Sequence, residues 1–362
     1  MISDRLLSIV RCPDCRGALA VDSKAPAGST DLTCQGCGRR YPGTHGAFLD
    51  LRASASFAET TKYVEEALHA DARHETVSPP LLSAAIRNDM LRAFLAPDAT
   101  DRVVDLGCGS GRALVWNRDS GAYQVGVDVS PYFAREAQAS VDLVFGDLRR
   151  LPLADGAFTK AFSLDVAEHL SREGLVDVLK EACRVLGPGG ELFIYSHVRK
   201  NSPLAFALRA VNGLARGLDG VGAIDLSQER LRKSDHLNPL ADIADLQRVA
   251  AQTGFRVARI RYYTPLVGAL VENLLVRLAE GVLARRAARR LRSSGKPPDA
   301  EPLRAARLEA KRRIAERGPA YATLRALTWL MKLDILLFGR VQSGPFFALL
   351  VKEGASAAGA TE

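Results

Sequence analysis

Arg102-Val103-Val104-Asp105-Leu106-Gly107-Cys108-Gly109-Ser110-Gly111 is the stretch on which the reading of this chain turns. Its first half is a short apolar, β-branched run, which fits a buried strand. It passes straight into glycines at alternate positions. A strand that turns through glycines into a helix brings backbone close to a ligand and aims helix N-terminal N–H groups at it. The G-x-G-x-G spacing lacks the G-x-x-G of a dinucleotide fingerprint, so the loop alone names no ligand.

The residues downstream give the loop its context. Tyr123 to Val127 reads as a second strand ending at Asp128, where a carboxylate can accept bonds from two ribose hydroxyls. Val141 to Phe145 reads as a third, ending in Gly146-Asp147-Leu148, and Phe158 to Leu164 as a fourth, followed by Asp165-Val166-Ala167-Glu168-His169-Leu170. A helix from Arg172 to Leu186 then leads through Gly187-Pro188-Gly189-Gly190 to the strand Glu191 to Tyr195. Alternation of this kind builds a parallel sheet that binds ligands at its strand C-termini.

From Asp101 to Tyr263 the chain resembles the class I S-adenosylmethionine (SAM)-dependent methyltransferases, in particular those acting on small molecules, quinones and lipids. Asp105 to Gly111 looks like their first motif. Leu151-Pro152-Leu153-Ala154-Asp155-Gly156-Ala157-Phe158 and Arg184 to Gly190 look like later landmarks. The resemblance implies a Rossmann-like, seven-stranded α/β sheet. It also implies SAM held by Asp105, Gly107, Gly109 and Gly111, by Asp128 and Val129 at the ribose, by Asp147 and Leu148 at the adenine, and by Asp165. Lys160 departs from the pattern, since many relatives carry an acidic residue there.

Cys12-Pro13-Asp14-Cys15 and Cys34-Gln35-Gly36-Cys37 form two C-x2-C turns separated by 18 residues. Two such turns supply four thiolates for tetrahedral Zn²⁺, a closed structural shell with no place for a substrate water. Gly17, Gly36 and Gly38 are expected at tight turns with positive φ, and His45 as an ordinary surface histidine. The stretch from Leu6 to Leu51 resembles the Trm112-like zinc ribbon, a module that accompanies or activates methyltransferases. Six cysteines in 362 residues are too few for a disulfide scaffold.

The net charge of +8 suggests nucleic acid until it is divided by position. Arg256 to Glu362 holds 20 basic and 9 acidic residues, or +11, whereas the residues before it hold 29 basic and 32 acidic, or −3. With 47% hydrophobic residues the chain is not disordered as a whole, no secretory leader is expected, and no run approaches a spanning helix. A cytoplasmic protein, peripheral at the inner membrane face, is the expectation.

Methyl transfer from a sulfonium is an in-line displacement, so the protein must position a nucleophile and in some cases take its proton. His169 after the fourth strand is the first candidate base, followed by His197 after the fifth and by His236 in Ser234-Asp235-His236-Leu237-Asn238-Pro239. Three other chemistries lack their signatures. No Asn/Asp-Pro-Pro-aromatic run follows the fourth strand, Cys108 and Cys183 are poorly sited for a covalent nucleophile, and no G-x-S-x-G elbow appears.

Val198 to Lys233 is an extension after the fifth strand with an apolar helix from Leu204 to Leu218, and a further helix is expected to start at Asn238-Pro239 with Asn238 as its cap. Phe255 to Tyr263 reads as the sixth strand. The seventh is Pro345 to Lys352, which makes Thr264 to Gly344 an insertion inside the last hairpin, beside the site. Apolar helix faces there, such as Tyr321 to Phe338, adjoin arginine clusters such as Arg285 to Arg292, a pattern that suits core helices and also anionic lipid.

The expected organisation is a zinc ribbon (1–52), a helical connector (53–100), a SAM-binding core (101–263), a basic helical insertion (264–344), the last core strand (345–352) and a disordered tail (353–362). The expected activity is methylation of a small-molecule, lipid-linked or isoprenoid/quinone acceptor, most simply at oxygen, with rRNA or tRNA methylation as the alternative. The aromatics of the basic third are not interleaved with its arginines as an RNA stacking platform requires. A SAM-binding scaffold that activates a partner is the non-enzymatic alternative.

Overall fold

The computed structural model describes residues 3–22, 31–44, 47–54, 77–200, 202–226, 230, 234–282 and 318–354. His45, the Arg285–Arg292 cluster, most of the connector before Val77 and the tail from 355 onward lie outside them.

The chain opens with α1 (Asp4–Ile9), whose first turn is capped by Ser3 accepting from Leu6 N. Three short strands, β1 (Leu19–Val21), β2 (Leu32–Cys34) and β3 (Arg40–Tyr41), form a small antiparallel sheet. The next hairpin, β4 (Gly43–Thr44) and β5 (Phe48–Asp50), leaves this ribbon: β5 runs parallel to β8 (Asp142–Phe145), pairing Leu49 with Val144 and Asp50 with Phe145.

The main sheet also contains β6 (Arg102–Leu106), β7 (Tyr123–Asp128), β9 (Phe158–Leu164), β10 (Leu186–His197), β11 (Phe255–Tyr262) and β12 (Pro345–Lys352). It has nine strands in the order β11-β12-β10-β9-β6-β7-β8-β5-β4. The seven strands expected from the sequence are present, and the ribbon's hairpin extends them at the β8 edge. Leu6, Val10, Leu49 and Leu51 share one buried cluster with Val144, Leu148 and Leu153. The register of β10 shifts between Leu186 and Glu191, where the Gly187–Gly190 turn is absorbed into the strand.

Strands β6 and β7 are buried nearly throughout because helices cover both faces. On one face lies α2 (Ser83–Leu95), from the connector. After the glycine loop come α3 (Arg112–Trp116) and α4 (Arg135–Ser140). The other face receives α5 (Arg172–Val185), which buries Leu175, Val178, Leu179, Ala182 and Val185 at helical spacing and is capped by Ser171. Lys160, the departure noted above, donates to Asp101 at 2.7 Å and to the carbonyl of Ala96 at 3.2 Å, tying the end of α2 to the start of β6.

The insertions gather at one sheet edge for a topological reason. Strand β12 is antiparallel to both β10 and β11, so β10 and β11 end on the edge where the loops after β6, β7 and β9 also end. From that edge rise α6 (Ala205–Gly220), after β10, and α8, after β11, made of a helical turn at Leu266–Ala269 and a π segment at Leu270–Val276. Helix α9 (Pro319–Phe338) starts with proline in its first turn and returns to β12. Asp334 of α9 is fully buried and accepts from Val267 N at 2.9 Å and Gly268 N at 2.8 Å, which fastens α9 to α8.

The expected helix at Asn238-Pro239 starts later, as α7 (Ile243–Gln252), with Asp242 as its cap accepting from Asp245 N. Asn238 sits at φ 47, and its N–H, like that of Leu237, is spent on the carbonyl of Glu168. The segment is shaped by the site, not by the helix after it.

Candidate functional site

The glycine loop is built as its sequence demands at two positions. Gly107 has φ +87, and a Cβ there would lie 2.4 Å from Val166 Cγ2. Gly111 has φ +80 and caps α3, where a Cβ would meet Ala137 at 2.7 Å. Gly109, at φ +53, has nothing within 4 Å of its would-be Cβ, so its outer face looks into open space.

Asp128, buried at the end of β7, holds the loop. Its Oδ2 accepts from Gly109 N at 2.7 Å, and its Oδ1 accepts from Ser130 N at 2.8 Å and from Ser130 Oγ at 3.0 Å. Asp105, 2% exposed, lies beneath on β6. Burial, and then the charge of Asp128, push its carboxyl well above the usual range. Val129 directly follows β7. Asp147 caps a short turn and pairs with Arg149 at 2.8 Å, while Leu148 is packed into the core. Asp105, Asp128 and the three glycines therefore form one group, and Asp147 faces an arginine from its own turn.

Asp165, the first residue after β9, takes φ 57 and pairs with Arg87 Nη1 at 3.4 Å. Arg87, from α2, also lies 5.4 Å above the ring of Tyr195. Neither Arg87 nor Tyr195 is marked by any local pattern in the sequence, because a single arginine in a connector helix acquires its place only when α2 packs on the sheet.

The three candidate histidines come from separate segments and meet around Glu168. That carboxylate is 1% exposed; its Oε2 accepts from Ser196 Oγ at 2.7 Å and its Oε1 stands 3.5 Å from His197 Nδ1. Burial raises its pKa, yet the contacts to His197 and Ser196 outweigh that and leave it below the ordinary value. His169 Nδ1 stands 3.1 Å from Asp235 Oδ1, and the His236 ring lies edge-on to His169 at 4.7 Å. Glu168, His169 and His236 can each offer a ligand atom within 4.8 Å of the others. Glu168 and Asp235 were legible only as neighbours of histidines.

The cysteine turns converge as well. All four sulfurs lie within 4.8 Å of one another, with Cys15 and Cys34 at 3.4 Å and Cys12 and Cys37 at 3.8 Å. Backbone N–H groups of Gly36 and Cys37 point at Cys34 Sγ at 3.4 and 3.5 Å, and Tyr41 Oη is 3.0 Å from Cys12 Sγ. The donor set fits a tetrahedral thiophilic ion. The expected positive φ appears at Gly38 but not at Gly17 or Gly36; Arg16 adopts it instead, at φ 60. Gly17 is needed for space, since a Cβ would lie 2.9 Å from Cys34 Sγ.

Comparison with known proteins follows the same division. Residues 104–194 match the family described as a methyltransferase domain, and residues 3–42 the family described as Trm112p-like protein. The chain is 28% identical over 158 residues to 27-O-demethylrifamycin SV methyltransferase of Amycolatopsis mediterranei, covering 40% of this chain and 57% of that protein. To 24-methylenesterol C-methyltransferase 2 of Oryza sativa subsp. japonica it is 32% identical over 133 residues, 32% of this chain and 35% of the relative. A probable tRNA methyltransferase 9B of Mus musculus is 35% identical over 95 residues, 26% of this chain and 21% of the relative. Among solved structures, a phosphoethanolamine N-methyltransferase 2 of Haemonchus contortus bound to S-adenosyl-L-methionine gives a TM-score of 0.43 at 17% identity, with 87% of this chain and 62% of that one covered. The chain thus spans little more than half of the first relative and about a third of the second. By these comparisons residues 104–194 are similar to the methyltransferase domain family, and residues 3–42 to the Trm112p-like family.

Proposed function

We propose that this protein is a SAM-dependent methyltransferase that methylates an oxygen of a small, largely apolar acceptor. One observation carries the reading: the cofactor-type loop and the Glu168–histidine cluster are joined through Val166, whose methyl group fills the space that a side chain on Gly107 would take. In this reading Asp105, Gly107, Gly109, Gly111, Asp128 and Val129 hold the methionine and ribose, Asp147 and Leu148 border the adenine, and Asp165 lies between cofactor and acceptor.

The chemistry balances simply. Bound SAM would supply a methyl on its sulfonium, which an acceptor oxygen could displace so that the C–O bond forms as the C–S bond breaks and S-adenosylhomocysteine leaves neutral; what the chain itself supplies is a histidine to take the hydroxyl proton. His197, with a side chain 31% exposed against 12% for His169, is the more open base of the two, and the His236 ring lies 6.3 Å from it. Cys12, Cys15, Cys34 and Cys37 hold a structural zinc. Residues 1–52 are in this account the ribbon, 101–263 and 345–352 the SAM-binding core, 53–100 the connector and 264–344 the acceptor-side insertion.

An apolar acceptor is favoured by the helices at the mouth, which expose Phe206 on α6 and Trp329 and Leu336 on α9. Among the described residues no helix is long and apolar enough to cross a membrane. Incubation of a cell extract with tritiated SAM and the protein, followed by separation into lipid, RNA and protein, should put the label in the lipid and small-molecule fraction. Label in RNA would establish the alternative, an rRNA or tRNA methyltransferase.

A further inference from the structure

A carboxylate removed from water needs a positive partner or a dense set of donors. Glu168 is 1% exposed and faces one hydroxyl and the imidazole of His197, with its sequence neighbour His169 and the remote His236 beside it. The chain spends structure to bring them there. Asn238 adopts a left-handed φ of 47, and the N–H groups of Leu237 and Asn238 bind the carbonyl of Glu168, holding His236 against His169. Behind His169 stands Asp235, with its carboxylate 3.1 Å from Nδ1. A carboxylate on the far nitrogen is the partner that orients a metal-binding imidazole.

We propose that Glu168, His169 and His236 form a cation site, separate from the cysteine cluster, that takes one divalent first-row metal ion. Two imidazoles and a carboxylate are borderline donors suited to Mn²⁺, Fe²⁺, Co²⁺ or Zn²⁺, unlike the thiolate set of the ribbon. The set leaves coordination positions for an oxygen of the acceptor. A cation there would favour the ionised form of an acceptor hydroxyl and orient it, with His197 left to take the proton. That catalytic use rests on the methyl-transfer reading above, whereas occupancy of the site does not.

The test is a titration of the full-length, zinc-loaded protein with Mn²⁺, followed by electron paramagnetic resonance of the free ion. Mn²⁺ is a poor competitor for four thiolates, so the ribbon does not contribute. One Mn²⁺ per chain is expected. Glu168→Gln and His236→Ala should each weaken binding about tenfold or more, and Asp235→Asn, acting through His169, about tenfold. Circular dichroism and thermal unfolding on each variant show that it is folded, and SAM calorimetry is run alongside. A wild-type titration in which all Mn²⁺ stays free overturns the site, and so does unchanged affinity in both Glu168→Gln and His236→Ala. Mn²⁺ binding that persists where SAM binding fails supports the site and removes the methyl-transfer reading instead.

Discussion

Lys160 shows how a residue that departs from a family pattern finds its explanation in contacts. Its ammonium meets a nearly buried carboxylate, Asp101, at 2.7 Å, with side chains 16% and 10% exposed. Burial works against ionised Asp101, but the bonds from Lys160, Asp98 N and Thr159 outweigh it and hold the carboxyl below its ordinary value. A lowered carboxyl pKa contributes stability that is complete at neutral pH and is lost as pH falls through the lowered value. Lys160→Met should therefore cost about 1–3 kcal/mol in denaturant unfolding at pH 7. Its deficit relative to wild type should begin to close only below about pH 4; a deficit independent of pH would rule out the ionic account. At Asp128, Asp128→Ala removes the clamp on Gly109 and, in the proposed reading, the ribose acceptor, and calorimetry should find SAM binding abolished. Unchanged binding would overturn the cofactor assignment. Asp128 could be picked out of the sequence because a strand end fixes where its side chain points. Arg87 and Asp235 could not, because their partners lie far away along the chain.

Two glycines of one loop make different demands at the scale of the element. Gly107→Ala forces a methyl to within 2.4 Å of Val166 in a backbone of φ +87, so both strain and overpacking fall on the strand-to-helix turn. A loss of about 2–4 kcal/mol is expected. Gly109→Ala meets nothing within 4 Å, so stability should fall by only about 1–2 kcal/mol while SAM affinity falls sharply. Thermal unfolding and SAM calorimetry on the pair separate the two effects; equal destabilisation would contradict the geometry. The start of α7 is the opposite case, since asparagine followed by proline is a sound helix-start signal by local rules. The backbone there is instead committed to Glu168, and Asp242 supplies the cap four residues on.

For the whole molecule, the ribbon is part of the sheet and not an appendage. Leu49 and Asp50 pair with β8, Arg11 N donates to Pro152 O at 2.9 Å, and Arg16 pairs with Glu181 of α5 at 3.0 Å. Disordering the cysteine turns should thus unsettle β8 and, through Leu143, the glycine loop that packs near it at Gly111. Cys34→Ser, or zinc removal by a chelator, should lower the melting temperature by roughly 5–10 °C, at roughly 2–4 °C for each kcal/mol lost. It should also weaken SAM binding, although no cysteine of the cluster is in the cofactor loop. A ribbon that melts in a separate transition, with SAM affinity intact, would show the two parts to be uncoupled. The exposed face of α9 gives a second prediction at this scale. Trp329→Asp with Leu336→Asp should reduce co-sedimentation with vesicles containing anionic lipid while leaving thermal stability unchanged, since these side chains are 73% and 72% exposed. Equal recovery with the vesicles would overturn the expected association with a membrane surface.

The sequence by itself determined the seven core strands, their order along the chain, the glycine loop and the pairing of cysteines. Each depends on short-range rules: alternating or continuous apolar runs, positive φ at glycine, and two thiols in one turn. The +11 of the C-terminal third was also there to be counted, and the strand directions put its helices at the edge where the site lies. Only the tertiary structure decided that the ribbon's hairpin extends the sheet, that Arg87 reaches Asp165, and that three histidines converge on one buried glutamate. Apart from the adjacent Glu168 and His169, those contacts join residues far apart in the chain, and their free energy comes from packing and desolvation that no local pattern encodes.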